Sequence, residues 1–423
     1  MSLLLKIEIP YGSGRLTIRI PERNLMGILE PKILPGVSDP RIEIKNALEN
    51  PLNSKKISEI ASSGDKVAIV VDDITRPLPT KILLPPILDE LINAGVHKRD
   101  IVIIIGTGTH RPITKEEAEI ILGREIANSY AWINHNCDAK DLVHVGRTSY
   151  GNDVYINRVY FESDVKIVLG DVMLHYYAGY GGGPKSIVPG IAGRKTIEYN
   201  HSLMFHPNAR SGVARGNPVF EDIMEGAKLA GWDFAVNVVL NTKKEIVKVF
   251  AGDLESIFNE AVKIVDSMYK VPIDEKADIV VASAGGFPFD INFYQAHKGL
   301  YNAEFATKEG GTIILSAECR DGIGHNIFQE WMLKYKNADQ VIKTLKKEFV
   351  LGGHKAYYIM RSISRYHVYL YSNLPEHIVT NVLRLKHADD INKILIREIN
   401  KKLNARVLLM PFATETLPII RGN

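Results

Sequence analysis

Ile101-Val102-Ile103-Ile104-Ile105-Gly106-Thr107-Gly108-Thr109-His110-Arg111-Pro112 predicts a buried strand that feeds a polar loop. The first five residues are apolar whichever way they point, as strands covered on both faces must be, and such strands belong to parallel sheets. Beyond the loop, Thr114 with Glu117 three residues later forms a capping box, which places a helix start there. The same order recurs upstream. Lys66 to Asp73 reads as a buried strand that runs into Asp72-Asp73-Ile74-Thr75-Arg76-Pro77, where Pro77 and Pro79 end the ladder because they donate no N–H. A helix then runs toward Ala94-Gly95. A third strand, Val165 to Gly170, opens into Asp171-Val172-Met173-Leu174-His175-Tyr176-Tyr177-Ala178-Gly179-Tyr180-Gly181-Gly182-Gly183-Pro184-Lys185-Ser186. Strands alternating with helices imply an α/β chain with mostly parallel sheets, whose ligands sit beyond the carboxyl ends of the strands. All three polar loops are expected at that edge.

A second α/β section follows, with strands at Ala277 to Ala282 and Gly311 to Ala317 and a Gly285-Gly286-Phe287-Pro288 loop between them. A chain of 423 residues exceeds the size at which one core usually keeps growing. We therefore expect two α/β domains, residues 1–270 as the catalytic and cofactor-binding domain and 271–423 as a domain that closes over it, with the active site in the interdomain cleft. The residues near 268–276, with Pro272 and the charges Lys270, Asp274, Glu275 and Lys276, are the expected hinge. Charged stretches around Lys343 to Lys347 and at Lys401-Lys402 read as solvated helix faces.

Composition narrows the function. The 52 Lys and Arg nearly balance 49 Asp and Glu, and the net charge of +3 is spread along the chain. That argues against nucleic acid as the main partner. Cys137 and Cys319 are the only cysteines and form no C-x-x-C pair, so a reducing compartment fits. No apolar run approaches membrane-spanning length, and Leu3 to Leu5 are followed too soon by Lys6 and Glu8 for a secretory leader. The expectation is a soluble, cytoplasmic protein.

His110 and His175 each follow a strand by a few residues, where two imidazoles can alternate as general base and general acid. A single loop histidine is more often a plain polar surface group; two at equivalent loop positions are less easily dismissed. The glycines from Gly179 to Gly183 let a backbone approach an anion closely. A nucleotide P-loop is disfavoured because Pro184 stands where its second glycine belongs, and a purely structural glycine turn is the plainer alternative. Arg76 can hold a carboxylate or phosphate through two parallel hydrogen bonds, or simply cap nearby carbonyls. Asn292-Phe293-Tyr294-Gln295-Ala296-His297-Lys298-Gly299 should open a helix with Tyr294 and Lys298 as neighbours. His201 and His206, five residues apart, would diverge on a helix, so at most one faces a site.

Taken together, Asp72-Asp73-x-Thr75-Arg76-Pro77, Gly106-Thr107-Gly108-Thr109-His110-Arg111-Pro112, His175-x-x-Ala178-Gly179-x-x-Gly182-Gly183-x-Lys185, Asn200-His201 and Tyr294-Gln295-x-x-Lys298 resemble the nickel-dependent lactate racemase family. The resemblance spans about two-thirds of the chain, and the ordered set is far more specific than any one motif. It implies a nickel-pincer nucleotide, pyridinium-3,5-bisthiocarboxylic acid mononucleotide, bound covalently to Lys185, with His201 as the protein's nickel ligand. It further implies His110 and His175 as acid and base, Asp73, Arg76, Gly182 and Gly183 around the cofactor, and Arg76, Tyr294, Gln295 and Lys298 on the substrate, Lys298 with a catalytic part. The implied substrate is a 2-hydroxy acid, inverted at C2 by hydride movement, and cofactor-biosynthesis proteins are the implied partners. Hydride removal avoids building a carbanion beside a carboxylate, and the cofactor carries the difficult step.

Two departures stand out. The family tends to have Ser-Gly-Gly-Ala-Lys where this chain has Gly181-Gly182-Gly183-Pro184-Lys185, and it has a tryptophan near the substrate where Gly352 to Tyr358 offers tyrosines. A larger or more polar hydroxy acid, or a sugar acid, is therefore also open. A non-catalytic cofactor- or anion-binding homologue is the alternative reading, and a dehydrogenase using free NAD is weaker, since Gly106-x-Gly108 lacks the third spaced glycine.

Overall fold

The computed structural model describes residues 3–347, 349–350 and 352–421. The chain divides into two compact units, Ile33–Met268 and a second made of Met1–Lys32 with Tyr269–Asn423.

The Ile33–Met268 unit is built on a six-stranded sheet in the order Ile246–Gly252, Phe234–Leu240, Val165–Asp171, Val67–Asp72, Ile101–Gly106, Ala131–Asn134. Every neighbouring pair is parallel except the outermost, Phe234–Leu240 with Ile246–Gly252. Ile103 and Ile105 enter one core with Val67, Ile69, Val71 and Leu169, while Ile104 points the other way and is equally buried. The apolar run is thus covered on both faces, and each such side chain contributes roughly 1.5–3 kcal/mol. The expected cap is in place: Glu117 N–H donates to Thr114 Oγ1 at 3.2 Å and Thr114 N–H to the Glu117 carboxylate at 2.9 Å, and the helix Lys115–Leu122 follows. The chain starts mid-sheet at Val67–Asp72, builds outward to Ala131–Asn134, then returns to the other side through Val165–Asp171. That reversal leaves a crevice at the carboxyl ends of the two central strands, the usual ligand position in such sheets.

The second unit carries a six-stranded, wholly parallel sheet in the order Lys386–His387, His367–Tyr371, Thr307–Ser316, Ala277–Ser283, Val407–Met410, Leu25–Ile28. The first residues of the chain therefore differ from the expected 1–270 domain. Leu25–Ile28 is an edge strand beside Val407–Met410, and the hairpin Leu4–Tyr11 with Gly14–Pro21 supplies Ile9, Ile18 and Ile20 to the same core as Val281, Ile314 and Leu409. The division at Met268 and Tyr269 lies close to the expected boundary. The expected hinge is ordered instead: Lys270–Ile273 is a strand paired in parallel with Leu417–Ile420. Its charges suggested a linker, but Ile273 is buried and a two-stranded ladder accommodates Pro272.

Candidate active site

Asp72 and Asp171 end the two strands that flank the crevice, and their carboxyl groups hydrogen-bond each other. Burial raises Asp72 well above the ordinary carboxylate range and lifts Asp171 to about 6 against the pull of Arg76. Two such groups in one dry site retain a proton near neutrality. Lys185 lies beside them in the short turn Gly183–Ser186. Burial, then the Arg76 charge, bring its amine down to about 7 in spite of the two aspartates. At neutral pH much of it is an uncharged nucleophile. Gly182 and Gly183 have φ of +67° and +55°. A side chain there would run into the Asp171 carbonyl and the Phe258 ring respectively. These glycines let the turn close on the protein itself, and so deliver Lys185 to the crevice.

Asp73 is fixed by Thr75, whose N–H and hydroxyl donate to Oδ1 at 3.0 and 2.6 Å, while Oδ2 lies 2.7 Å from His110 Nδ1. Burial works against this carboxylate, but the His110 and Thr75 hydrogen bonds outweigh it and hold Asp73 below its ordinary value. An ionised carboxylate only accepts, so His110 Nδ1 carries the proton and its lone pair is at Nε2. His175 is set the opposite way. The Ala178 N–H donates to its Nδ1 at 3.2 Å, so a neutral His175 bears its proton on Nε2. His201, on the helix Arg194–Ser202, donates from Nδ1 to the Ile197 carbonyl at 2.6 Å, which puts its lone pair at Nε2. Burial lowers it to about 4, so the imidazole is neutral. His206 is exposed and its Nδ1 accepts from Asn208 N–H at 3.1 Å, leaving His201 as the inward member of the pair.

In the second unit, Asn292 caps the helix Phe293–Ala306 by accepting from Gln295 N–H at 3.0 Å. Lys298 Nζ donates to Gln295 Oε1 at 2.9 Å, in the helix's opening turns where its amide dipoles favour an anion. The Tyr294 ring stacks on His325, 4.5 Å between centroids, and burial pushes its phenol up to about 12. Lys355 Nζ sits 3.4 Å from the centre of the Tyr294 ring and donates to the Tyr294 carbonyl at 2.7 Å. Burial, then Lys298, hold Lys355 well below the ordinary lysine range. The segment with tyrosines in place of tryptophan forms the start of the helix Gly353–Arg365, where Tyr357 and Tyr358 pack around Arg361.

Sequence reasoning did not single out Asp171, Tyr177 or Lys355. Asp171 had a signal, a carboxylate closing a buried strand just as Asp72 does. Lys355 had none, because a lysine on an amphipathic helix reads as solvated. Among the described residues no three His, Cys, Asp or Glu side chains gather to hold a metal, and no helix is long and apolar enough to cross a membrane.

An open, mainly parallel sheet with a carboxyl pair at its switch point, a buried amine beside that pair, and His110 held by Asp73 on the adjoining loop defines an α/β enzyme of acid–base chemistry. Two family models match: the lactate racemase N-terminal domain over residues 11–212 and the lactate racemase C-terminal domain over 273–412. The chain belongs to the lactate racemase family and is an isomerase. Lactate racemase of Thermoanaerobacterium thermosaccharolyticum is 35% identical over 345 residues, 80% of each chain. That of Lactiplantibacillus plantarum is 34% identical over 389 residues, 90% of this chain and 91% of its own. The lactate racemase apoprotein structure from T. thermosaccharolyticum superposes with a TM-score of 0.88 at 30% identity, covering 98% of this chain and all of that one. A Thermotoga maritima protein shares the fold, with a TM-score of 0.60 at 18% identity over 90% of this chain and 97% of its own.

Proposed function

We propose that the protein inverts C2 of a lactate-like 2-hydroxy acid by hydride movement, with a nickel-pincer nucleotide held covalently on Lys185 and His201 as the protein's nickel ligand. The observation that carries this reading is the buried Lys185 amine, lowered to about 7 and so able to form a covalent bond to an electrophilic carboxyl derivative. The residues fit the group in a further respect: His201 donates from Nδ1 to the Ile197 carbonyl, the orienting contact common to metal-ligating histidines, which puts the ring's lone pair on Nε2. When bound, the group supplies an acceptor and donor for the C2 hydride.

The protein supplies the proton chemistry and the orientation. His110 Nε2 takes the hydroxyl proton as the C2 hydrogen departs with its electron pair, giving a planar 2-keto acid, and the Asp73 carboxylate stabilises the resulting imidazolium. Return of the hydride to the opposite face, with a proton to oxygen from His175 in its imidazolium form, completes inversion and leaves His175 neutral and His110 as the imidazolium, so the pair exchange roles in the reverse direction. Carrying that proton requires His175 Nδ1 to release the Ala178 N–H. Arg76, Tyr294, Gln295 and Lys298 are the substrate-binding residues of this reading, Arg76 by the planar fork that suits a carboxylate. Asp73 and Arg76 also frame the cofactor, while Gly182 and Gly183 shape the turn that carries it. Lactate is the first substrate to test, and the reaction belongs in the cytoplasm, where biosynthesis proteins provide the cofactor.

The test is protein from a host that makes the pincer. The Lys185 peptide should carry its mass, and either lactate enantiomer should racemise with deuterium kept at C2. Rapid loss of C2 deuterium to solvent during inversion would replace hydride movement with a proton route. An unmodified Lys185 in active protein would remove the cofactor from this reading.

A further inference from the structure

We infer that Tyr177 is a positioning residue whose ring fixes His175, Lys185 and His201 relative to one another. The inference rests on the reading above, since it concerns the residues assigned there to acid–base chemistry, cofactor attachment and metal ligation. Those three residues come from three separate elements: the short strand Leu174–His175, the turn Gly183–Ser186 and the helix Arg194–Ser202. All three meet at one ring. His175 lies edge-on to Tyr177 with centroids 4.5 Å apart and planes at 89°. His201 is 5.4 Å away at 63°. Lys185 Nζ stands 5.7 Å from the ring centre.

The ring is held firmly enough to serve. Tyr177 is 6% exposed. It lies in the tip of a hairpin closed by Leu174 opposite Tyr180 and His175 opposite Gly179. Its carbonyl accepts from Asn217 Nδ2 at 2.9 Å, and Asn217 is itself fully buried and caps the helix Pro218–Ala230. Gly179, at φ +81°, packs so closely on Val213 that no other residue fits. On the far side, Tyr176 stacks on His175 at 5.0 Å and stands edge-on to Tyr177 at 4.7 Å, so the imidazole is held by two rings. An aromatic face attracts an ammonium and tolerates a neutral amine, and its rim and face both suit imidazole edges. An aliphatic side chain of similar volume fills the space without either preference.

The experiment compares Tyr177→Phe and Tyr177→Leu, with folding checked by circular dichroism and thermal melting. In apoprotein, the rate at which an acylating reagent labels Lys185 is read by peptide mass spectrometry, and the His175 and His201 ring nitrogens are read by NMR. Tyr177→Phe should stay within about two-fold of the parent, whereas Tyr177→Leu should change Lys185 labelling by about five-fold or more and shift both imidazoles. In loaded enzyme, Tyr177→Leu should lower kcat about ten-fold or more with KM little changed, and Tyr177→Phe should restore it. If Tyr177→Leu does not fold, Tyr177→Met carries the same expectations. A folded Leu or Met variant with parental Lys185 labelling and parental imidazole signals overturns the inference. If the parent carries no adduct and racemises no hydroxy acid, the functional reading fails, while the apoprotein comparison still decides the role of Tyr177.

Discussion

Asp73 Oδ2 stands 2.7 Å from His110 Nδ1, a charge-assisted contact that fixes which ring nitrogen of His110 faces away. The contact at His175 is of a different kind, with Nδ1 accepting from the Ala178 backbone N–H. The two neutral imidazoles are therefore unequal: His110 has its lone pair at Nε2, while His175 has an N–H there.

Replacing Asp73 by Asn should lower kcat by about 10²-fold while Lys185 modification, read by peptide mass spectrometry, is unchanged. There is a stability consequence with a definite sign. Asp73 titrates below its ordinary 3.8 in the folded protein, so its contribution is present above that pH and is lost as acid takes the solution through the folded value. Urea melts at about pH 6 and at a series of pH values below 3.8 should show the Asn variant's deficit shrinking as the solution is acidified.

Lys185 should be labelled by acylating reagents along a titration curve centred near pH 7, far below that of surface lysines. Burial and Arg76 depress the amine, while Asp72 and Asp171 act the other way. Arg76→Met should therefore move the midpoint up and Asp171→Asn should move it down. A midpoint near 10 in the parent would show the amine to be solvated.

His201→Ala should separate metal from attachment. Peptide mass spectrometry should still find the modified Lys185, while nickel measured by atomic emission falls several-fold and racemisation is lost. Nickel retained at the parental ratio would release His201 from its assignment.

Lys355→Met tests the buried amine beneath Tyr294. Because burial depresses this lysine, the unfolded chain binds the proton more readily, and folding stability should climb as pH rises from the folded value toward the ordinary 10.5. The Met variant should flatten that climb in urea melts. It should also be no less stable at neutral pH, since an apolar side chain of similar reach avoids burying an amine.

The features that proved legible are those whose cause is local. Ile101 to Ile105 form a strand because apolar β-branched residues run together, and Thr114 and Glu117 start a helix because their side chains satisfy backbone N–H groups one turn away. The loops carrying His110, His175 and Lys185 follow from the strand ends. Leu25–Ile28 was not legible as a partner of Val407–Met410, because a pairing across nearly the whole chain leaves no periodicity in either segment. The glycine run was legible as an unusual turn but not in its reason. Its crowding at Gly182 and Gly183 comes from Asp171 and Phe258, which the tertiary fold brings there. Lys355 was hidden for a related reason, since only the packing of Tyr294 and His297 takes its amine out of water.

The placement of Leu25–Ile28 at the edge of the second sheet has a consequence for biogenesis. Its neighbour in that sheet, Val407–Met410, leaves the ribosome long after it. The Ile33–Met268 unit holds all six strands of its own sheet and is able to mature during translation. The early strand meanwhile waits with an open backbone edge, a stretch that chaperones or premature release of the nascent chain would act on first.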